Sequence, residues 1–150
     1  MSRTTSHFPD IAAYDAEDRP VLFLDVKGYR IAGDDVRDEL LTKFSDVARP
    51  GEFVAIADPE RVIFYRWGSD GHPHAAAELK TPDILSHYEA DAARTEIFEY
   101  YMSILLEGWL RDLALHWKSA SPPGQDVLEQ IGLAGRLRNG FVQPNVASDD

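Results

Sequence analysis

The sequence predicts an α/β sandwich: a short mixed sheet flanked by helices, with one long helix toward the C-terminus. Three observations point there. Short runs of apolar, β-branched and aromatic residues at 10–14, 21–27, 53–57 and 62–67 are bounded by turn residues. A helix-spaced segment lies between the second and third of them, and apolar residues at helical spacing dominate the second half.

The first two runs, Asp10–Tyr14 and Val21–Lys27, flank the polar stretch Asp15-Ala-Glu-Asp-Arg-Pro20 and read as a hairpin. After Gly28, residues Asp34–Ala48 carry Val36, Leu40, Leu41, Phe44 and Val47 on one helical face, with Asp34 or Asp35 as N-cap and Pro50-Gly51 as the stop. Phe53–Ala57 and Val62–Trp67 form a second strand pair around Asp58-Pro-Glu-Arg61, and Gly68–Pro73 reads as an exposed loop. Thr81-Pro82-Asp83 opens a short helix. A long helix is expected over Asp91–Lys118, with Ile97, Phe98, Tyr101, Ile104, Leu105, Trp109, Leu113 and Trp117 on a broad apolar face, and a last helix over Gln125–Leu137. So broad a face predicts a homodimer or a partner subunit.

With 150 residues, 44% hydrophobic and 27% charged, the chain suits a single domain able to bury a core. It has no cysteine, so any metal must be held by oxygen or imidazole. A net charge of −11 argues against a protein that simply coats nucleic acid. It argues less against an enzyme whose carboxylates hold metal, since those count as negative until the ion arrives. The first seven residues lack an apolar signal core and no apolar run approaches the roughly 20 residues of a membrane span, so a cytoplasmic location away from membranes is expected.

The hairpin is where chemistry is expected. If its six-residue turn is symmetric, Tyr14 faces Val21 and Asp10 faces Asp25. Side-chain alternation then puts Lys27 on the face of Asp25, while Ile11, Ala13, Leu22, Leu24 and Val26 fill the other. Opposed carboxylates repel unless neutralised by a proton, by Lys27 or by a cation, and two hard oxygen ligands suit Mg²⁺ or Mn²⁺.

Pro9-Asp10, then fourteen residues, then Asp25-Val26-Lys27 after an apolar strand resembles the signature of the PD-(D/E)xK nuclease superfamily. The run PDIAAYDAEDRPVLFLDVKG, the amphipathic helix and FVAIADPERVIFYRW are similar in order to the N-terminal nuclease domain of type I restriction subunits, over roughly residues 8–67. The resemblance implies a restriction-endonuclease-like core, with Asp10, Asp25 and the carbonyl of Val26 as Mg or Mn ligands and Lys27 as the catalytic lysine. It implies phosphodiester hydrolysis, of DNA first, in restriction or defence. On this reading residues 9–138 are one nuclease-like domain (core motif region 9–67, helical part 81–138) between a flexible N-terminus (1–8) and a loose tail (139–150).

The chain departs from that pattern in two ways. Related nucleases often carry a glutamine and a tyrosine four residues apart on the following helix, where this chain has Leu40 and Phe44. The family core also begins with a helix, which contributes a glutamate to the metal site, and a strand, whereas eight residues precede Pro9 here. That first helix is then missing, supplied by another chain, or replaced by the C-terminal region, where the long helix from Asp91 offers Glu96, Glu99 or Glu107 as the carboxylate. These departures favour the alternative, a catalytically inactive nuclease-fold module for interaction or assembly.

Other patterns read as structural. His72-Pro73-His74 with Glu78 is expected to be a solvated turn, and Glu78-Leu79-Lys80 an incidental copy of the acid-x-lysine spacing. Phe98, Tyr100, Tyr101, Trp109 and Trp117 suit a core better than a base-stacking platform. Arg30, Lys43, Arg49, Arg61 and Arg66 would make a phosphate track only if clustered on one side.

Overall fold

The computed structural model describes residues 9–90 and 99–144. In chain order the elements are β1 (Ile11–Tyr14), β2 (Pro20–Val26), α1 (Gly33–Phe44), β3 (Phe53–Ala57), β4 (Arg61–Trp67), β5 (Pro73–Lys80), α2 (Thr81–Tyr88), α3 (Glu99–Leu115), α4 (Gln125–Gln130), α5 (Leu133–Leu137) and β6 (Phe141–Pro144). They build a six-stranded mixed sheet in the order β5-β4-β3-β2-β1-β6. β2 and β3 are parallel and joined by the α1 crossover, while the other neighbours are antiparallel.

Helices cover both faces because the strands carry apolar residues on both. Ile11, Ala13, Leu22, Leu24, Val26, Phe53, Ala55 and Phe64 pack with Met102, Leu106, Trp109 and Leu113 of α3 and with Leu133 and Leu137 of α5. Phe23, Val54, Ile56, Ile63 and Trp67 pack beneath Val36, Leu40 and Phe44 of α1. Near-continuous apolar strands such as Val21–Leu24 are what a sheet buried on both faces requires.

The hairpin register agrees with the counting: Ile11 pairs with Leu24, Ala12 with Phe23 and Ala13 with Leu22. An irregularity after Ala13 sets Tyr14 against Pro20 rather than Val21, but the ladder leading back to Asp10 is unaffected. The expected alternation holds on one face. The other is not left open to charge, because α1 covers it as far as Asp25.

Several expectations are corrected. α1 begins at Gly33 with Ala32 in the N-cap position, ahead of the expected Asp34 or Asp35; it ends at Phe44, leaving Val47 outside the helix and partly exposed. The stretch after the loop at 68–72 is an edge strand, β5, disguised by His74-Ala-Ala-Ala-Glu-Leu-Lys80, whose residue types are depleted in strands. Tyr101 and Ile104 are 40% and 43% exposed, so the buried face of α3 is turned toward Met102, Leu106, Leu110 and Leu113. Ile97 and Phe98 lie outside the described residues. α3 stops at Leu115, short of Lys118, because buried Asp112 accepts hydrogen bonds from the N–H groups of Lys118 (2.9 Å) and Ser119 (3.1 Å) and from the Tyr88 hydroxyl (2.7 Å), turning the chain back. The last helix is broken into α4 and α5 around 131–132.

The largest correction concerns the tail. Residues 141–144 form β6, paired antiparallel with β1 from Tyr14↔Phe141 to Ile11↔Pro144, and the rings of Tyr14 and Phe141 stack with centroids 4.7 Å apart. Residues 1–8 and 145–150, expected to be loose, lie outside the described residues. No helix among those described is long and apolar enough to cross a membrane.

β6 reaches β1 through Gly140, where a Cβ would stand 1.8 Å from the Tyr14 carbonyl oxygen. Gly140→Ala is expected to destabilise the fold by about 2 kcal/mol or more, the scale of a backbone clash that must be relieved by local movement. Denaturant unfolding checks this; a change below about 0.5 kcal/mol, typical of an unconstrained surface site, would contradict the close approach.

Candidate functional site

The C-terminal end of β2 carries the site. β3 holds that end from one side, through Asp25↔Ile56, Val26↔Ala57 and the Lys27 N–H donating to the Ala57 carbonyl at 2.8 Å. On the other side Asp10, just ahead of β1, continues the ladder with its side chain: the Val26 N–H donates to Asp10 Oδ2 at 2.7 Å. Asp10 is thereby fixed beside Asp25.

Asp25 is 1% exposed. Two ammoniums face it, Lys27 Nζ at 3.3 Å from Oδ2 and Lys43 Nζ at 3.0 Å from Oδ1, yet neither oxygen has a partner in hydrogen-bonding direction. The contacts are Coulombic. Lys27 also reaches Glu39 Oε2 at 3.2 Å. Burial lowers the lysine's proton affinity, but the carboxylates of Asp25 and Glu39 outweigh it and leave Lys27 above the ordinary lysine range. It is a permanent cation, suited to stabilising anionic charge and unsuited to being a base. Asp10 behaves in the opposite sense: burial, aided by the neighbouring charge of Asp25 and opposed by the Val26 N–H, raises its pKa to about 6.

The polar contacts missing at Leu40 and Phe44 are not restored at those positions, but α1 brings other charged groups to the strand end from one residue earlier. Leu40 and Phe44 are fully buried beneath the sheet, while Glu39 and Lys43, also four apart and therefore on one helical face, turn toward Lys27 and Asp25. The pattern was readable as an acid–base pair beside the apolar stripe. What that pair meets is not readable, because only the packing of α1 over the sheet brings it to Lys27 and Asp25.

On the other side of the strand end, a cleft of about 340 Å³ is lined by Asp10 and Val26, by Glu99, Tyr100 and Glu107 of α3 and by Pro144 of β6. Glu99 Oε1 accepts a hydrogen bond from the Gly28 N–H at 2.8 Å. Only a glycine permits this approach without adjustment, since a Cβ on residue 28 would lie 3.0 Å from the Glu99 Cβ. Glu107 pairs with Arg111, which in turn donates to the Val142 carbonyl at 2.9 Å and ties α3 to β6. Of the three expected glutamates, Glu99 and Glu107 face this cleft and Glu96 lies outside the described residues. Among those described, no three acidic or imidazole groups stand close enough to cage an ion as they are.

The remaining candidates do not join the site. Glu78 and Lys80 lie on β5, with three strands between them and β1. His74 pairs with Asp70 at 2.9 Å on the surface and His72 is exposed. Arg30 pairs with Glu60 and Arg61 donates to the Ile31 carbonyl, so these two tie the segment after β2 to the β3–β4 turn, while Arg66 donates to the Ile131 carbonyl elsewhere; none of the three is directed to the site. Trp109 is fully buried, and Trp117 packs near Tyr88 while donating to the Gly108 carbonyl; Tyr100, 78% exposed, is the aromatic at the cleft mouth.

Because the Asp10 pKa is raised in the folded state, folding favours the protonated side chain. Its stabilising effect is complete below the ordinary value of 3.8 and is lost as pH rises through about 6. A carboxyl-resolved NMR titration should find Asp10 titrating near pH 6, and Asp25→Asn should lower that value while leaving it above 3.8, since burial is the larger cause. An Asp10 titration at 3.8 in the wild type would contradict the packing described. Compared with known proteins, the chain matches no family model, no curated protein and no solved structure.

Proposed function

We propose that the chain is a metal-dependent phosphodiester hydrolase of the PD-(D/E)xK type, acting on nucleic acid, DNA in the first instance, in restriction or another defence. The observation that carries this reading is the position of Glu99. Glu99 of α3 stands beside Asp10 and Val26 at the end of β2, on the side of the sheet where β6 pairs with β1, and so offers the further carboxylate that the PD-(D/E)xK resemblance calls for.

The donors suit a hard divalent cation. Asp10, Asp25, the Val26 carbonyl and Glu99 offer only oxygen, and both Asp25 oxygens lack a hydrogen bond although buried. The chemistry supplied by Mg²⁺ or Mn²⁺ when bound would be Lewis-acid polarisation of a phosphate and acidification of a water. Lys27, charged through neutral pH, stabilises negative charge developing on the phosphate, and Glu39 holds its ammonium in place. Gly28 keeps Glu99 at the strand end, and Tyr100 provides an exposed ring at the cleft mouth for a base to stack on.

A second reading, a catalytically silent interaction or assembly module, is favoured by one observation: Asp25 is already neutralised by two lysines and shielded from solvent. The exposed Tyr100, Tyr101 and Ile104 on α3 would then be a contact surface for a partner subunit or second copy.

The two readings separate in a cleavage assay on single- and double-stranded DNA and on RNA with Mg²⁺ or Mn²⁺. A nuclease should lose about a hundredfold or more in rate with Lys27→Ala, the scale of removing one electrostatic stabiliser from a transition state. Glu99→Gln should lower activity, and Gly28→Ala should do so by displacing Glu99. Wild-type protein that cuts none of these substrates and binds neither ion would sink the nuclease reading.

A further inference from the structure

We propose that Lys43 is the resident counter-ion of this site: its ammonium occupies Asp25 Oδ1 in the metal-free protein and leaves when a divalent cation binds. The inference rests on the metal-dependent reading above and adds a positioning residue that the motif does not contain.

Access is the first reason. Asp25 is 1% exposed, and its two oxygens face two different ammoniums, Oδ1 Lys43 at 3.0 Å and Oδ2 Lys27 at 3.3 Å. A dication cannot ligate Asp25 from that arrangement unless one ammonium moves away, because the positions beside both oxygens are filled by like charge.

Which ammonium moves follows from their other contacts. The Lys27 ammonium is held by a second carboxylate besides Asp25, its Nζ standing 3.2 Å from Glu39 Oε2. Lys43 is in the last turn of α1, and among the described residues its ammonium pairs with Asp25 alone. Its flexible four-carbon stem, 20% exposed, lets the ammonium swing to water without disturbing the helix. Neither Asp25 oxygen has a directional hydrogen bond to give up, so the exchange replaces one Coulombic partner by a stronger one.

In the resting protein, then, Lys43 supplies countercharge to the buried Asp25 carboxylate at the place a metal ion would take. Removing this competitor should tighten metal binding, whereas removing a residue that merely supports the site should weaken it or leave it unchanged.

Calorimetric titration of the full chain with Mn²⁺ tests this. Lys43→Met is expected to bind about tenfold tighter than wild type, because a like charge beside the ion is gone, and Lys43→Arg, which retains the charge, is not. A second measurement needs no variant: mass-spectrometric amine acylation of the wild type should show Lys43 labelling faster when Mn²⁺ is saturating while Lys27 stays unchanged. Should Lys43→Met fold poorly, the acylation result decides. Wild type that binds Mn²⁺ with no gain in Lys43→Met, or with no change in Lys43 labelling, overturns the inference and leaves the metal site standing. Failure of both wild type and Lys43→Met to bind Mn²⁺ overturns the metal site and this inference together. Binding by Lys43→Met alone supports both.

Discussion

The carboxylate of Asp25, taken out of water at the end of β2, is the constraint around which this structure is organised. Burying one charged carboxylate costs several kcal/mol unless countercharge accompanies it, and here two lysines from different elements supply it. Lys27 follows two residues later on the same strand face; Lys43 requires α1 to lie over the sheet with one particular face down. The hydrophobic fit of Val36, Leu40 and Phe44 and the electrostatic demand of Asp25 are met by the same helix orientation. Removing one partner of such a cluster leaves an uncompensated charge, so its cost exceeds the worth of the pair itself.

The sheet edge poses a second problem, met by long-range closure. β1 is four residues long and would present an unpaired edge beside the site if nothing covered it. β6 pairs with it, and α3 packs across the same end through Glu99 on Gly28, a contact spanning 71 positions in sequence. Such contacts join segments far apart in sequence, so their geometry depends on the packing of the whole sheet and not on local pattern. The candidate site thus joins a half that is near in sequence (Asp10, Asp25, Lys27, Lys43) to a half from distant segments (Glu99, Glu107, Pro144).

Local pattern explains what could be read before folding. The hairpin register was legible because alternation and a polar turn leave few ways to pair two short strands, and a slip by one residue would expose every core side chain. That arithmetic set Asp10 opposite Asp25 and Lys27 on its face. It could not reveal that α1 buries this face, which changes Asp25 from an open ligand into an ion-paired core carboxylate. β5 was hidden because alanine, glutamate and lysine disfavour strands and only pairing with β4 makes that stretch extended. β6 was hidden because Phe141-Val-Gln-Pro144 is too short to signal a strand, and it exists through Tyr14 stacking and the room left by Gly140.

The sequence by itself determined the α/β class, the two strand pairs, the amphipathic crossover and the grouping of Asp10, Asp25 and Lys27, all consequences of spacing within a few tens of residues. Tertiary structure alone decided that Glu39 and Lys43, rather than Leu40 and Phe44, face that group, that Glu99 stands at the strand end, and that Asp25 is sealed from water. Each of these depends on the rotation of a helix about its axis and on contacts between distant segments. Periodicity tells which face of a helix is apolar, and only packing decides what the polar residues at its margin will meet.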